Sequence, residues 1–309
     1  MPKVLNAFIF AGALFFSQSA SAVIRTETPK SVKQGSVIKV VIQDPGGGPH
    51  EVHFCPVGWP TDRNGTKKNC IAVDTIDIGG GKQIALIPVG VSEESGMGLV
   101  SIFSLSEAHS LPIEIQKVDF PESKKTFYVP EPTPEILKKS KEQRAFLDAI
   151  YAQITPKKYF SGNLRFQNPL EEKKMDIVPN ADFGQIRKRA LINPKTRRIK
   201  DRWKDYHKGV DFLAWTGKPV FAADDGRVVA ARNLLGSGNT VIIDHGYGLV
   251  SLYFHLSKIY IREGYEIYRG ERIGLAGMSG NAEGPHLHFE VRLFGVPVNP
   301  FEFLSGGAK

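Results

Sequence analysis

Two pairs of residues in the C-terminal half have types and spacings that suit metal chemistry. His207 and Asp211 stand four positions apart, and His286 and His288 flank a single leucine. On a β-strand, residues i and i+2 point to the same face, so the second pair would emerge together while Leu287 packs into the core. Imidazole nitrogen with one carboxylate oxygen is a typical zinc donor set, and a catalytic zinc takes three protein ligands and leaves one position to water. We therefore predict a metal site here.

A further histidine, His255, stands in a strand-like run. Alternation along the run predicts that Tyr253 and His255 share its polar face, with Leu252, Phe254 and Leu256 on the apolar face. Imidazoles beyond those that hold a metal would be available for proton transfer, which a hydrolase needs at neutral pH. The other histidines give weaker signals. His245 lies in a glycine-flanked turn and is expected to be a hairpin residue, and three more without metal-like spacing are expected to be exposed or hydrogen-bonded: His50, His53 and His109.

The order of these motifs resembles that of the lysostaphin-type (LytM-like) zinc endopeptidases of peptidoglycan. The matching segments lie within about residues 183–304 and run His-x-x-x-Asp, GNTVIIDHGYG, YFHL, GERIGLAG and GPHLHFE. The resemblance implies that Zn²⁺ is held by His207, Asp211 and His288, and that His255 and His286 occupy the catalytic positions. Family members that only activate other wall enzymes typically lack part of this set, whereas all five residues are present here. Segments 278–283 and 192–204 depart from the family pattern, and both could reshape the substrate groove.

Together with the export signal described below, the resemblance implies a secreted zinc endopeptidase that hydrolyses amide bonds in the peptide stems or cross-links of peptidoglycan. Zinc would polarise the scissile carbonyl and lower the pKa of its water towards roughly 7. One of His255 and His286 would take the water's proton and the other would hydrogen-bond the oxyanion, and the sequence leaves the two roles open. The first alternative is a non-catalytic wall-binding or amidase-activating protein on the same fold. The second is an adhesion or structural protein that acts through its N-terminal domain.

Strands must supply most of the elements that position these residues. We predict a mainly β protein with an N-terminal small β-sandwich-like domain at 23–128, a Pro-rich hinge and linker helix at 129–160, and a C-terminal antiparallel β-sheet peptidase domain at 161–309. Thr133 as N-cap and Pro134 at the first helical position predict a helix that runs to about Gln153. An apolar stripe along this helix predicts packing on a neighbouring domain: Leu147, Ile150, Tyr151 and Ile154.

The role of the N-terminal domain is open between two expectations. The domain and the linker helix could lie against the substrate groove and restrain the enzyme, or the domain could bind the wall or space the enzyme from it. Cys55 and Cys70, which are 15 positions apart, are predicted to form a structural disulfide worth roughly 3 kcal/mol, with two free thiols as the alternative.

The charge of the chain bears on its partners. The 309 residues carry a formal net charge of +8, which favours an anionic partner mildly. Basic residues concentrate in 183–208, which is predicted to be either a solvated loop or a wall of the groove. Aromatic residues are sparse in that segment, so the base-stacking pattern of a nucleic-acid groove is absent. Peptidoglycan is the partner that the resemblance implies. A regulatory protein of unknown identity stays open.

The N-terminus predicts export. Lys3 precedes an apolar run at 4–16, and the small residues Ala20 and Ala22 form a typical cleavage site. We therefore expect a signal peptide at residues 1–22. The chain would be secreted across the inner membrane to the periplasm or the cell wall, without stable membrane insertion once the signal is cleaved.

Overall fold

A computed structural model describes residues 25–44, 48–57, 70–104, 107–160, 164–171 and 182–304. The predicted signal peptide lies outside these residues. In the described part of the chain the protein is mainly β, with a single α-helix, as predicted. No helix in this part is both long and apolar enough to cross a bilayer.

The N-terminal part is a sandwich of two β-sheets. One sheet has the strand order β1-β3-β7-β6 and the other β2-β9-β8-β4-β5. Alternate residues of β3 are fully buried between the sheets, where Ile38, Val40 and Ile42 meet residues of the second sheet such as Phe54 and Ile113. The predicted sandwich is confirmed. The strands are β1 Arg25–Glu27, β2 Ser31–Lys33, β3 Val37–Gln43, β4 Glu51–Cys55, β5 Ile71–Asp74, β6 Ile76–Gly79, β7 Lys82–Pro88, β8 Gly96–Phe103 and β9 Ala108–Gln116.

A disulfide links two strands of the sandwich, and a shared hydrophobic cluster joins the sandwich to the C-terminal part. Cys55, at the end of β4, forms a disulfide with Cys70, just before the paired strand β5, so the disulfide prediction is confirmed. The outer face of the first sheet is apolar as well, and its Ile76, Ile84 and Leu86 belong to the same buried cluster as the core of the C-terminal part. The two parts therefore share a hydrophobic interface.

A three-stranded sheet follows the sandwich. It consists of β10 Glu122–Pro130, β11 Ile186–Ile192 and β12 Ile199–Tyr206, with β10 parallel to β11 and β11 antiparallel to β12. The basic segment 183–208 is thus a β-hairpin, and its interpretation as a solvated loop is wrong. Its charges find partners across the sheet in three ion pairs: Arg189–Asp205, Lys200–Glu131 and Lys204–Glu122. The proposed domain boundary at 128 falls inside β10.

Helix α1 spans Pro134–Ala152, as the capping signals predict. The Thr133 hydroxyl accepts a hydrogen bond from the amide of Ile136 over 3.3 Å, which satisfies one of the free amides at the helix start. Three of the four stripe residues, with Phe146, pack against the C-terminal sheet: Leu147, Ile150 and Tyr151. The fourth, Ile154, lies beyond the helix and is 45% exposed, so its place in the stripe is wrong.

The C-terminal part is built on a seven-stranded sheet with the order β13-β21-β17-β16-β15-β19 and β22 paired to β21. A smaller sheet has the order β14-β20-β18. One face of the large sheet carries the core, including Leu287, Phe289 and Val291, and α1 covers part of the other face. The elements are β13 Val210–Leu213, β14 Pro219–Phe221, β15 Gly226–Leu234, β16 Gly238–Gly246, β17 Leu249–Leu256, β18 Lys258–Ile259, β19 Glu266–Ile267, β20 Arg272–Leu275, β21 His286–Leu293, β22 Val296–Val298 and a 3₁₀-helix Pro300–Glu302.

Candidate metal centre

Strands β13 and β21 bring two of the predicted ligands side by side. Their antiparallel register places Asp211 opposite His288 and Leu213 opposite His286. Because side chains alternate along a strand, His286 and His288 emerge on the same face of the sheet while Leu287 enters the core, as predicted. His207 precedes β13 and lies beside Asp211, so residues from two separate motifs converge on one point.

A glycine permits this close approach. Gly209 lies between His207 and Asp211, and a Cβ atom on it would come within 2.3 Å of the Phe289 carbonyl and 2.9 Å of His288 Nε2. Contacts that short are forbidden to side chains, so this position requires glycine if β13 is to lie against the strand that carries the histidines.

The three inward atoms form a tight triangle. His207 Nε2 lies 3.0 Å from His288 Nδ1 and 3.2 Å from Asp211 Oδ1, and the third side, from His288 Nδ1 to Asp211 Oδ1, measures 2.6 Å. All three side chains are buried. Zinc bonds of about 2.0–2.1 Å in tetrahedral geometry separate ligand atoms by about 3.3 Å. The donor types and their spacing therefore fit a zinc-sized ion after a small expansion.

Each of the three residues also makes a hydrogen bond at the atom that points away from the triangle. His207 Nδ1 donates to the carbonyl of Asp182 over 3.0 Å, and His288 Nε2 donates to Glu290 Oε1 over 3.0 Å. Arg187 Nη2 donates to Asp211 Oδ2 over 3.1 Å. A ring that donates from its remote nitrogen presents a lone pair with the other nitrogen, and outer partners of this kind orient metal ligands. The site is thus arranged to coordinate a cation.

The other two predicted residues lie beside this triangle. His286 Nε2 is 3.7 Å from Asp211 Oδ1, and the ring centroids of His255 and His286 are 4.8 Å apart. His255 Nδ1 donates to the Ser279 carbonyl and His286 Nδ1 to the Gly284 carbonyl, each over 2.8 Å. Both rings are therefore left with a free Nε2 lone pair. The structure brings all five predicted site residues together.

His255 faces the site because of a β-bulge in β17, and not because of the predicted strand alternation. Its φ of +62° interrupts the alternation of β17, and the pairing with β16 shifts register just there, leaving one extra residue on β17. Such a bulge re-aims a side chain. The predicted polar face is wrong, because Tyr253 is fully buried in the core. Phe254 instead lies on the site face, where it stacks on His288 at 5.1 Å with an interplanar angle of 8°.

Burial and charge set the protonation of the centre. Burial alone would raise the pKa of Asp211, but hydrogen bonds from His207 and His288 hold that pKa far below its usual range. Burial also opposes the charging of His288, yet its bonds to Asp211 and Glu290 raise its pKa to about 9. For His255, burial lowers the pKa to about 4. Without a cation, His288 is therefore protonated and its Nδ1 donates to the ionised Asp211 over 2.6 Å. A cation held by the triangle would replace that proton, while His255 beside it stays neutral.

A cavity of about 420 Å³ opens over the site. One wall comes from β10 and β11, and the opposite wall is the segment 281–285; an ion pair between Lys125 Nζ and Glu283 Oε1, at 2.6 Å, joins the two walls. No residue of α1 lines this cavity. The expectation that the linker helix lies against the groove is therefore wrong, because its apolar side packs on the sheet instead. Strand β10, and not the helix, lies against the cavity.

His245 lies outside the site. It is fully buried in β16, where its Nδ1 donates to the Asp225 carbonyl over 2.7 Å and its Nε2 contacts Ser251 Oγ over 2.8 Å. Burial lowers its pKa to about 4. Its hydrogen bonds make it part of the core, so it supports the fold next to the hairpin turn.

Sequence reasoning missed two charged residues of the centre. Glu290 follows His288 at i+2 on the same strand face, so the alternation that predicts the His286–His288 pair could have found it. Arg187 gave no local signal, because its place depends on how the hairpin pairs with β10.

The comparisons with known proteins agree with this geometry. Residues 205–300 match the pattern of peptidase family M23. The matched segment contains His207, Asp211, His255, His286 and His288. Residues 205–300 form an M23 peptidase domain. M23 peptidases are metallopeptidases, which agrees with the donor set found in this domain.

Two curated relatives are peptidases by name. ShyA, a peptidoglycan DD-endopeptidase of Vibrio cholerae, is 37% identical over 165 residues, which cover 53% of this chain and 36% of that protein. Mpg, a DD-carboxypeptidase/endopeptidase of Neisseria meningitidis, is 45% identical over 102 residues, which cover 33% of this chain and 23% of that protein. The chain thus matches about a quarter to a third of the length of these relatives.

One solved structure extends the likeness beyond the M23 domain. A Pseudomonas aeruginosa protein whose crystal structure was assigned to peptidase M23 superposes with a TM-score of 0.60 and 22% identity. The superposition covers 89% of this chain and 95% of that one. At this identity the likeness concerns the fold, and it includes most of the chain outside residues 205–300.

Proposed function

We propose that this protein is a secreted zinc endopeptidase that hydrolyses amide bonds in the peptide stems or cross-links of peptidoglycan. The observation that carries the proposal is the triangle of His207, Asp211 and His288 beneath an open cavity, with two further imidazoles at its side. The name of the relative ShyA, a peptidoglycan DD-endopeptidase, supports peptidoglycan as the substrate. The apolar N-terminal segment with its small-residue cleavage site supports export to the periplasm or the cell wall.

In the proposed mechanism His207, Asp211 and His288 hold the zinc ion. When bound, zinc would polarise the scissile carbonyl and lower the pKa of a water molecule to about 7. The low pKa of His255, about 4, keeps its Nε2 lone pair free at neutral pH. Either His255 or His286 can accept a proton at Nε2, because each already donates from Nδ1. The resulting imidazolium can then donate to the oxyanion or to the leaving amine.

A reaction of purified mature protein with defined cross-linked muropeptides tests the proposal. Products identified by mass should show cleavage of a peptide amide, and removal of zinc with a chelator should stop it while added zinc restores it. His288→Ala is the matched control, since it removes one of three ligands. A non-catalytic wall-binding protein would instead sediment with sacculi in the presence and absence of chelator and release no product, which would refute the proposed activity.

A further inference from the structure

The walls of the cavity carry an unbalanced charge next to the metal centre. Lys124, Lys125 and Arg187 line the cavity, together with two carboxylates, Asp211 and Glu283. Lys125 and Glu283 neutralise each other at 2.6 Å. Asp211 would share its charge with the bound metal, and Lys124 is exposed to solvent. Arg187 pairs with Asp211 at 3.1 Å, but a bound metal would draw on the same carboxylate. Arg187 is therefore the partly buried cation of the cavity that keeps positive charge for a ligand.

Arg187 is fixed in place but has donors to spare. Its side chain is 19% exposed, and its guanidinium carbon lies 5.5 Å from the ring centroid of Phe127. Nη2 donates to Asp211 Oδ2 over 3.1 Å, and the Nε is buried without a hydrogen-bond partner among the described residues. A ligand in the cavity would therefore meet Nη1 and the second N–H of Nη2. A guanidinium offers five N–H donors in a planar fork, which matches the two oxygens of a carboxylate. Its rigid support from Asp211 and Phe127 reduces the entropy lost on binding such a group.

We propose that Arg187 binds a free carboxylate on a substrate residue that flanks the scissile amide. Arg187 contacts a predicted metal ligand directly, so an anion that it can reach must lie close to the reacting carbonyl. The inference rests on the proposed function and narrows it to one substrate class. Stem peptides with a free carboxylate at this position are good substrates, and stem peptides with a carboxamide there are poor ones.

The test compares two cross-linked muropeptides that differ only in whether the carboxylate beside the scissile amide is free or amidated. Zinc-loaded wild-type protein should cleave the free acid with a kcat/KM about 10- to 100-fold higher, as expected for a charge-assisted hydrogen bond. In Arg187→Gln this preference should fall to less than about threefold, mainly through KM for the acid. Arg187→Lys should keep part of the preference because it keeps the charge without the fork.

Lys188→Gln is the matched control. It removes one positive charge from the adjacent position of β11, but Lys188 does not line the cavity, so the preference should remain. Zinc content is measured for every variant. If Arg187→Gln loses zinc and slows both substrates equally, Arg187 only positions Asp211 and the inference is overturned. Equal cleavage of both peptides by the wild type overturns this inference alone, whereas cleavage of neither overturns the proposed function as well.

Discussion

His288 Nε2 donates to Glu290 Oε1 over 3.0 Å, and both side chains are buried. Glu290 is itself fixed by Arg292, whose Nε and Nη2 donate to Oε2 over 2.8 and 2.6 Å. The charges of Arg292 and His288 lower the pKa of Glu290 although burial opposes this. An ionised carboxylate therefore faces the remote nitrogen of a predicted metal ligand and orients the ring so that Nδ1 points at His207 and Asp211.

The first prediction concerns this pair. Glu290→Gln keeps a hydrogen-bond acceptor but removes the charge, and should weaken zinc binding about 10- to 100-fold, as is typical for outer partners of metal ligands. Competition with a chromophoric chelator, at a temperature where the variant stays folded, measures the affinity. Glu263→Gln is the control, since Glu263 also pairs with an arginine, Arg232, but lies away from the centre. Unchanged zinc affinity in Glu290→Gln would show that Glu290 is only structural.

The second prediction concerns the ligands. His207→Ala, Asp211→Ala and His288→Ala should each lower bound zinc strongly and abolish hydrolysis, because each removes one of only three protein ligands. Metal analysis of the folded variants is the measurement. Full zinc occupancy in all three variants would contradict this ligand set.

The third prediction separates the ligands from the proton-transfer pair. His255→Ala and His286→Ala should retain most of the zinc but lose about 10²- to 10⁴-fold in turnover. The 3.7 Å distance from His286 Nε2 to Asp211 Oδ1 makes His286 the sharper test. If His286→Ala loses its metal and stays folded, His286 is a ligand and the assignment of roles must change.

The fourth prediction concerns restraint of activity by the N-terminal part. Deletion of residues 23–153 would also remove β10 and α1, which pack on the C-terminal part, so a point substitution is preferable. If β10 restrains access to the cavity, Lys125→Ala and Glu283→Ala should each raise the rate on a small soluble muropeptide by up to about fivefold, because an exposed ion pair contributes about 1 kcal/mol at most.

The ion pair between Lys200 and Glu131, in the same sheet but outside the cavity lining, provides the control for that experiment. Lys200→Ala should leave the rate unchanged. Unchanged rates in Lys125→Ala and Glu283→Ala would favour a domain that binds the wall or spaces the enzyme.

Local signals explain which features could be predicted from the sequence. The start of α1 follows from Thr133 and Pro134, and the shared face of His286 and His288 follows from strand alternation. The bulge at His255 could not be predicted in this way, since a positive φ on a non-glycine residue depends on the pairing of β16 with β17. The hairpin that carries Arg187 is charged on both faces, and its partner β10 lies about 60 residues earlier, so its register is a long-range property.

The last prediction uses His245 to separate fold stability from the chemistry of the centre. Burial lowers the pKa of His245 from 6.5 to about 4 in the folded protein. Between these values the unfolded chain binds a proton that the folded chain refuses, so stability should fall as the pH drops from about 6.5 to about 4 and then level off. The contribution of this one group to the free energy of unfolding is on the order of 3 kcal/mol.

Urea unfolding of metal-free wild type and of His245→Gln at a series of pH values measures this contribution. The other titrating groups are common to both proteins, so their effects cancel in the difference. The variant should be less stable above pH 7 by a constant amount, and the gap should narrow as the pH falls through that window. A gap that stays constant from pH 7 to pH 4 would mean that His245 is not held neutral by its burial.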